Sequence, residues 1–148
     1  MKRLHVSFGV ADIEKSIAFY TTLFGEAPSV RRPDYAKWML DDPRINFVVE
    51  TGSGTVGFNH AGIQVEGQEE LHETFERMKQ AEAPYLPEGV TTCCYAKSEK
   101  SWTADPDGVA WEAFHTLHQM EEFGSGPDLA KLEQGAEQKP VSSGVCCS

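Results

Sequence analysis

Basic residues are scarce in this sequence, and long apolar runs are missing from it. The 148 residues include 13 Lys plus Arg against 23 Asp plus Glu, which gives a formal net charge of −10. Binding to nucleic acid or to an anionic membrane depends on Lys and Arg near phosphates, so this balance argues against both partners. No segment approaches the roughly 20 apolar residues that a membrane-spanning helix needs. Asp12 and Glu14 interrupt the region where a secretory signal would be apolar, so we expect a cytoplasmic protein.

Cysteine is also scarce, but the four cysteines form two adjacent pairs, Cys93-Cys94 and Cys146-Cys147. Neighbouring Cα atoms lie about 3.8 Å apart, which is below the usual range of about 4.4–6.8 Å for a disulfide. Cytoplasmic thiols stay reduced, and two adjacent thiolates favour a soft centre such as Cu(I), zinc, cadmium or trivalent arsenic. A regular strand turns adjacent side chains to opposite faces, so joint action of the first pair predicts a bent segment. One buried and one exposed cysteine is the alternative.

The rest of the chain divides into two halves with the same pattern of predicted elements. A hydrophobic content of 40% is ordinary for a globular protein. Each half begins with an apolar strand-like run, continues with an amphipathic helical segment and ends with three further strand-like runs. The order βαβββ followed by βαβββ predicts an α+β fold in which each helix covers one face of a sheet. We therefore expect one domain over residues 1–118, with module one at 1–51 and module two at 56–118.

Local signals predict the ends of some elements. Asp12 suits the N-cap of the first helix, and Gly25 suits the position after its last turn. In module two, Pro84 and Pro87 indicate a break after the second helix. The stretch Thr91–Lys97, which contains the first cysteine pair, has the composition of a strand.

The last part of the chain, residues 119–148, has a different composition. Clear periodicity fades, and Gly, Ser, Glu and Gln predominate. We therefore expect a flexible tail that carries the terminal cysteine pair, with a short helix at Pro127–Glu133.

Two histidines and one glutamate are candidate metal ligands. His5 and His60 occupy corresponding places in the first strands of the two modules, and Glu112 lies in the final predicted strand. An ionisable side chain in an apolar strand needs a partner if it faces inward. Two imidazoles and one carboxylate form a triad that leaves open positions on Fe(II), and Zn²⁺ can use the same ligands. Each residue taken singly would also fit a structural role, so the hypothesis depends on the repeat that superposes the two histidines.

The module pattern and these residues resemble the vicinal oxygen chelate superfamily, which includes glyoxalase I, extradiol dioxygenases and fosfomycin-resistance transferases. The shared features are the paired βαβββ modules, a histidine in the first strand of each, and an Asp-Pro-Asp-Gly turn at 105–108 followed by Glu112. The resemblance implies an open, cupped sheet around one divalent metal. It also implies that His5, His60 and Glu112 are the metal ligands and the catalytic residues.

Many members of that superfamily have a fourth ligand in the last strand of the first module. Counted from the turns, Val49 of this sequence stands where Glu112 stands in module two, and Glu50 is one step along the strand. Because one step along a strand points to the other face, we expect Glu50 to face away from the metal. This departure predicts three protein ligands.

Two cysteine motifs are similar to those of a narrower group, the ArsI-type carbon–arsenic bond lyases and the related cadmium-induced proteins. They are the stretch TTCC that ends in Cys93 and Cys94, and the stretch FGSGP at 123–127 ahead of Cys146 and Cys147. The resemblance implies Fe(II)- and O₂-dependent cleavage of trivalent organoarsenicals to arsenite, and hence organoarsenical resistance. It implies that the first cysteine pair binds As(III) as thiolates, with the terminal pair as candidate accessory arsenic-binding residues.

Two other functions fit the same residues. The thiols could sequester cadmium or arsenite without catalysis, or the metal triad could serve an extradiol-type dioxygenase in which the cysteines have no role. The sequence is compatible with methylarsenite and with aromatic arsenicals as substrates. It is also compatible with a monomer and with a homodimer that exchanges modules.

Overall fold

The computed structural model describes residues 1–93, 95–121, 124 and 128–132. The elements follow one another in the order β1 (Arg3–Gly9), α1 (Ile13–Phe24), β2 (Val30–Arg32), β3 (Tyr35–Asp41), β4 (Arg44–Glu50), β5 (Gly57–Val65), α2 (Gln68–Gln80), β6 (Tyr85–Cys93), β7 (Ala96–Ala104) and β8 (Ala110–Gln119). This is the βαβββ pattern repeated once, so the α+β prediction is confirmed.

One open sheet of eight strands runs through both halves, in the order β2-β3-β4-β1-β5-β8-β7-β6. Within each half the first strand pairs in parallel with the last, β1 with β4 and β5 with β8. The two halves meet where β1 and β5 pair antiparallel. The strand order of one half therefore repeats in reverse in the other, and the two first strands lie side by side at the centre.

Each helix covers one face of the sheet and leaves the other face accessible. The Asp12 side chain accepts a hydrogen bond from Lys15 N at 3.0 Å at the start of α1, and Gly25 ends the helix with φ 71°. Below α1, Trp38 and Phe47 belong to the core of the first half. The second core lies between α2 and strands β5 and β8. The opposite face of the sheet lines a cavity of about 320 Å³.

The prediction of a strand over Thr91–Lys97 is wrong. This stretch contains the end of β6, a turn at Tyr95 and the start of β7, which pair as an antiparallel hairpin. Tyr95 has φ 60°, in the left-handed region that glycine usually occupies. The second helix ends at Gln80, before Pro84 and Pro87, as predicted. Pro87 lies in β6 at the edge of the sheet, where no further strand needs the N–H that proline lacks.

Part of the predicted tail packs against this hairpin. A Cβ on Gly124 would lie 1.7 Å from Thr92 O, so Gly124 lies directly on β6. Leu132 is buried and packs with Trp102. The short helix expected at Pro127–Glu133 corresponds to a helical turn at residues 130–132, while Pro127 and Glu133 lie outside the described residues. None of the helices in the described residues is both long and apolar enough to cross a membrane.

Candidate metal centre

Three adjacent strands bring the predicted ligands His5, His60 and Glu112 together in the cavity. They lie on β1, β5 and β8, which are neighbours at the centre of the sheet. His5 Nε2 lies 3.2 Å from His60 Nε2 and 3.1 Å from Glu112 Oε1, and His60 Nε2 lies 3.5 Å from the same oxygen. Donor atoms from both modules therefore converge on one point.

The spacing of these donor atoms fits a divalent metal ion. Nitrogen and oxygen ligands lie about 2.0–2.2 Å from a metal such as Zn²⁺, so ligands on adjacent coordination positions lie about 3 Å apart. The three ligand atoms all lie within 4.8 Å of one another. Two imidazoles and one carboxylate are typical of non-heme Fe(II) sites, and Zn²⁺ accepts the same set.

The second ring nitrogen of each histidine is held by a hydrogen bond. His5 Nδ1 lies 3.0 Å from Asn46 O, and His60 Nδ1 lies 3.2 Å from Asn59 Oδ1. Because both partners are acceptors, each Nδ1 donates its proton and each Nε2 keeps a lone pair for a metal. Asn59 is itself oriented, since its Nδ2 donates to Glu50 Oε1 at 3.3 Å.

A glycine leaves the space that Glu112 needs to reach His5. Gly62 lies on β5, where it pairs with His5 on one side and with Glu112 on the other. A Cβ at this position would lie 2.7 Å from Glu112 Cγ and 3.3 Å from His5 Cδ2. The shorter of these distances is well inside van der Waals contact, so any larger side chain would displace the carboxylate. The cradle at Gly62 is a second observation that fits a metal centre here.

Lys100 belongs to this site, although the sequence pattern did not point to it. It is buried on β7, and its Nζ lies 3.1 Å from Glu112 Oε2. Burial opposes ionisation of Glu112, but the Lys100 ammonium outweighs it, with smaller contributions from the two imidazoles. Together they hold the pKa of the Glu112 carboxyl well below its usual range. The carboxylate is therefore ionised whenever a metal could bind.

His5 is held in the neutral form that a metal requires. Burial lowers the pKa of His5 from 6.5 to about 4, although the Glu112 charge acts in the opposite direction. At neutral pH the imidazole therefore carries no proton on Nε2, and no proton has to leave before a metal binds.

The expectation that Glu50 faces away from the site is wrong. Glu50 lines the same cavity as the three candidate ligands, whereas Val49 is fully buried in the core below α1. Its carboxylate accepts hydrogen bonds from Asn59 Nδ2 and, at 3.5 Å, from Ser7 Oγ. Burial raises the pKa of the Glu50 carboxyl. Glu50 thus lies beside the centre and supports His60 through Asn59.

Cys93 lies at the cavity, at the end of β6. It is buried, and it lines the cavity together with the three candidate ligands. The next described residue, Tyr95, donates from its hydroxyl to Asp34 Oδ1 at 2.6 Å and packs against the ring of Tyr35. Asp34 and Tyr35 belong to the first half of the chain, so a contact between the halves holds the turn beside Cys93. Cys94, Cys146 and Cys147 lie outside the described residues.

Family comparison agrees with this fold. The chain belongs to the glyoxalase/bleomycin resistance protein/dioxygenase superfamily, whose family profile matches residues 2–113.

Among curated relatives, it is 41% identical over 155 residues to a protein of Bacillus sp. (strain MD1) named trivalent organoarsenical cleaving enzyme, covering 100% of this chain and 91% of that one. It is 37% identical to the cadmium-induced protein CadI of Mycobacterium tuberculosis (strain ATCC 25618 / H37Rv), covering 99% and 93%. A variant of homoprotocatechuate 2,3-dioxygenase from B. fuscum shares the fold with a TM-score of 0.60 at 16% identity, covering 82% of this chain and 34% of that one.

Proposed function

We propose that this protein is a cytoplasmic, non-heme Fe(II)-dependent enzyme that uses O₂ to cleave the carbon–arsenic bond of trivalent organoarsenicals. Arsenite is the inorganic product, and the physiological role is resistance to organoarsenicals. The observation that carries the proposal is the meeting of two unlike donor sets in one cavity. The Cys93 thiol suits a thiophilic centre, and the triad of His5, His60 and Glu112 suits a redox-active divalent metal. The name of the Bacillus relative supports the same chemistry.

The proposed stoichiometry balances without an external reductant. Methylarsenite, CH₃As(OH)₂, and one O₂ together contain the atoms of one As(OH)₃ and one formaldehyde. Arsenic stays trivalent, while the methyl carbon loses four electrons and O₂ accepts four. Fe(II) bound by the triad would supply the activation of O₂.

The residues of the chain have binding and positioning roles in this proposal. Cys93 and Cys94 bind As(III) as thiolates in place of its two hydroxyl groups, which leave as two water molecules with the two thiol protons. This holds the carbon–arsenic bond beside the metal and replaces an encounter in solution by a fixed geometry. Trp102, Phe114 and Leu129 line the cavity with apolar surface, which excludes water and fits a methyl or an aryl group.

The decisive experiment follows arsenic and oxygen together. The purified protein is loaded with Fe(II) without oxygen, mixed with methylarsenite and then exposed to air, while arsenic species and O₂ uptake are recorded. We expect one arsenite for each O₂ consumed, and none without iron or without oxygen. Cys93→Ser should retain Fe(II) but lose arsenical binding, whereas Glu112→Gln should retain arsenical binding but lose Fe(II).

A second candidate function is thiol-based sequestration of cadmium or arsenite, which the CadI relative favours. The same experiment separates the two functions. Tight arsenical binding without O₂ uptake and without bond cleavage would contradict the enzyme and support sequestration.

We assign the terminal cysteines an accessory role in arsenic binding. A variant with serine at both Cys146 and Cys147 should complete a single turnover at the normal rate if the pair only delivers arsenic. Loss of that single turnover would contradict the accessory role.

A further inference from the structure

We infer that Lys100 gives the two oxygens of Glu112 different tasks. The ammonium holds Oε2, and Oε1 alone faces the metal. Glu112 would then bind through one oxygen, and the protein would occupy three coordination positions. This inference rests on the metal site of the proposed function and is independent of the arsenical substrate.

The distances already separate the two oxygens. Oε1 of Glu112 lies 3.1 Å from His5 Nε2 and 3.5 Å from His60 Nε2, the two nitrogens that face the metal position. Oε2 lies 3.1 Å from Lys100 Nζ. One oxygen therefore points towards the imidazoles and the other towards the ammonium.

Packing keeps the ammonium in this place. Lys100 is 7% exposed, and its Nζ lies 5.7 Å from the ring centroids of both Trp102 and Phe114. Trp102 pairs directly with Glu112 across β7 and β8, and Lys100 pairs with Phe114. A buried cation strongly favours an anionic partner, so leaving Oε2 would be costly for Lys100.

One-oxygen binding has a direct consequence for the reaction. An octahedral ion has about six coordination positions, so two imidazoles and one oxygen leave about three for small molecules. A two-oxygen carboxylate would leave about two. The coordination position that Lys100 keeps open would therefore be available to O₂ or to an oxygen of the substrate.

The same contact lowers the affinity for metal. In the metal-free protein the ammonium compensates the Glu112 charge, and a metal must bind near a positive charge. Removing that charge should make the carboxylate a stronger ligand while reducing the number of open positions.

Mn(II) is a suitable probe because the water molecules bound to it accelerate the relaxation of solvent protons. The experiment compares the relaxation per bound Mn(II), and the Mn(II) dissociation constant, in the wild-type protein and in Lys100→Met. We expect relaxation to fall by about a third, as about three bound waters become two. We expect Mn(II) to bind about tenfold more tightly, because a nearby positive charge is lost.

Two further variants serve as controls. Lys37→Met removes a second buried lysine among the described residues that line the cavity. Lys37 lies on β3 and donates to Gln119 Oε1 at 3.4 Å. Lys100→Arg keeps a cation at the site. Both should keep the water count and the Mn(II) affinity of the wild type.

Unchanged relaxation in Lys100→Met, or weaker Mn(II) binding, would overturn the inference and leave Lys100 a structural residue. If that variant does not fold without metal, Lys100→Gln purified with Mn(II) provides the same water count, and a wild-type value there would also overturn it. A wild-type protein that binds no Mn(II) would contradict the metal site as well. Since no arsenical or O₂ is used, a failure to cleave arsenicals leaves the result intact.

Discussion

The two halves of the molecule have the same strand order, but they differ in the length of the outer hairpin. In the first half β2 has 3 residues and β3 has 7, whereas β6 and β7 of the second half have 9 each. The longer hairpin ends beside the cavity and contributes Cys93 and Lys100 to it. A repeated scaffold thus supplies a symmetric sheet, and an extended hairpin in the second half supplies a thiol that the first half lacks.

The last strands of the two halves show the same divergence. β4 and β8 each present a buried glutamate to the cavity, Glu50 and Glu112. Glu112 lies beside Lys100 and the two imidazoles, which stabilise its charge. Glu50 accepts hydrogen bonds from the neutral groups of Asn59 and Ser7, and burial opposes its ionisation. Of these two glutamates at similar positions in the fold, Glu112 is therefore a candidate metal ligand, whereas Glu50 orients Asn59.

The largest expected difference in metal affinity is between Glu112→Gln and Glu50→Gln. Glu112→Gln removes a ligand oxygen's charge and leaves the buried Lys100 ammonium without its carboxylate, so we expect metal affinity to fall at least about a hundredfold. It should also lower the free energy of unfolding by about 3–5 kcal/mol. Glu50→Gln should keep metal affinity within about tenfold, because it acts through Asn59. Metal titration measures the affinity, and urea unfolding measures the free energy of unfolding. An equal loss of metal affinity in the two variants would make Glu50 a fourth ligand.

Substitution of Gly62, which lies where β1 and β5 join the two halves, should reduce metal affinity nearly as much. Gly62→Ala places a Cβ 2.7 Å from Glu112 Cγ and 2.8 Å from the Glu112 backbone oxygen, so β8 and its carboxylate must move away from His5. We expect a loss of metal affinity of about 10–100-fold, as for other residues that orient ligands. Gly67→Ala is the matched control, because a Cβ there has nothing within 4 Å. Normal metal binding by Gly62→Ala would show that the metal site does not need the space left by the missing side chain at Gly62.

His5, on the β1 strand that joins the two halves, should make the free energy of unfolding depend on pH. The pKa of His5 is about 4 in the folded protein against an ordinary value of 6.5, so below pH 6.5 the unfolded chain binds a proton that the folded one does not. The free energy of unfolding should therefore fall as pH decreases from 6.5 towards 4, by up to about 3 kcal/mol. The lowered pKa of Glu112 acts in the same direction below its usual value. Urea unfolding of the metal-free protein at several pH values measures this slope.

Two histidine variants identify the residue responsible for that slope. His5→Gln should flatten it, whereas His72→Gln, at an exposed position on α2, should not. A slope that survives in His5→Gln would assign the acid sensitivity to another group.

The smallest effect concerns the contact that crosses from the first half to the hairpin turn. Tyr95→Phe removes the hydrogen bond to Asp34 but keeps the ring against Tyr35. An intramolecular hydrogen bond contributes about 0.5–1.5 kcal/mol net, so we expect alkylation of Cys93 to become about two- to tenfold faster. Mass spectrometry of the alkylated peptide measures the rate. Tyr85→Phe removes a hydroxyl bonded to Ser101 on the same hairpin and should leave the rate unchanged.

The sequence was sufficient for the repeat, the fold class and the meeting of His5, His60 and Glu112. These depend on hydrophobic periodicity and on corresponding positions in the two halves, which are local properties of the chain. The hairpin was missed because Tyr95 adopts a positive φ, which tyrosine rarely does and which the sequence therefore does not predict. Glu50 was assigned to the wrong face because its position was counted from turns of unequal length.

Lys100 and Gly62 could not be recognised because their roles depend on register between strands. Lys100 meets Glu112 only because β7 and β8 pair as they do, and Gly62 matters only because β5 lies between β1 and β8. The one available signal for Lys100 was its place two residues before Trp102 in an alternating strand, which turns both side chains to the same face.

The strand order has a consequence for the newly made chain. His5 and His60 are 55 residues apart and come from the first strands of the two halves, but Glu112 belongs to β8, the last of the eight strands to leave the ribosome. A chain interrupted before β8 carries two imidazoles without the carboxylate and without the strand that holds Lys100 in place. At the proposed metal centre, the full set of three ligands is therefore available only after the last strand of the sheet has been made.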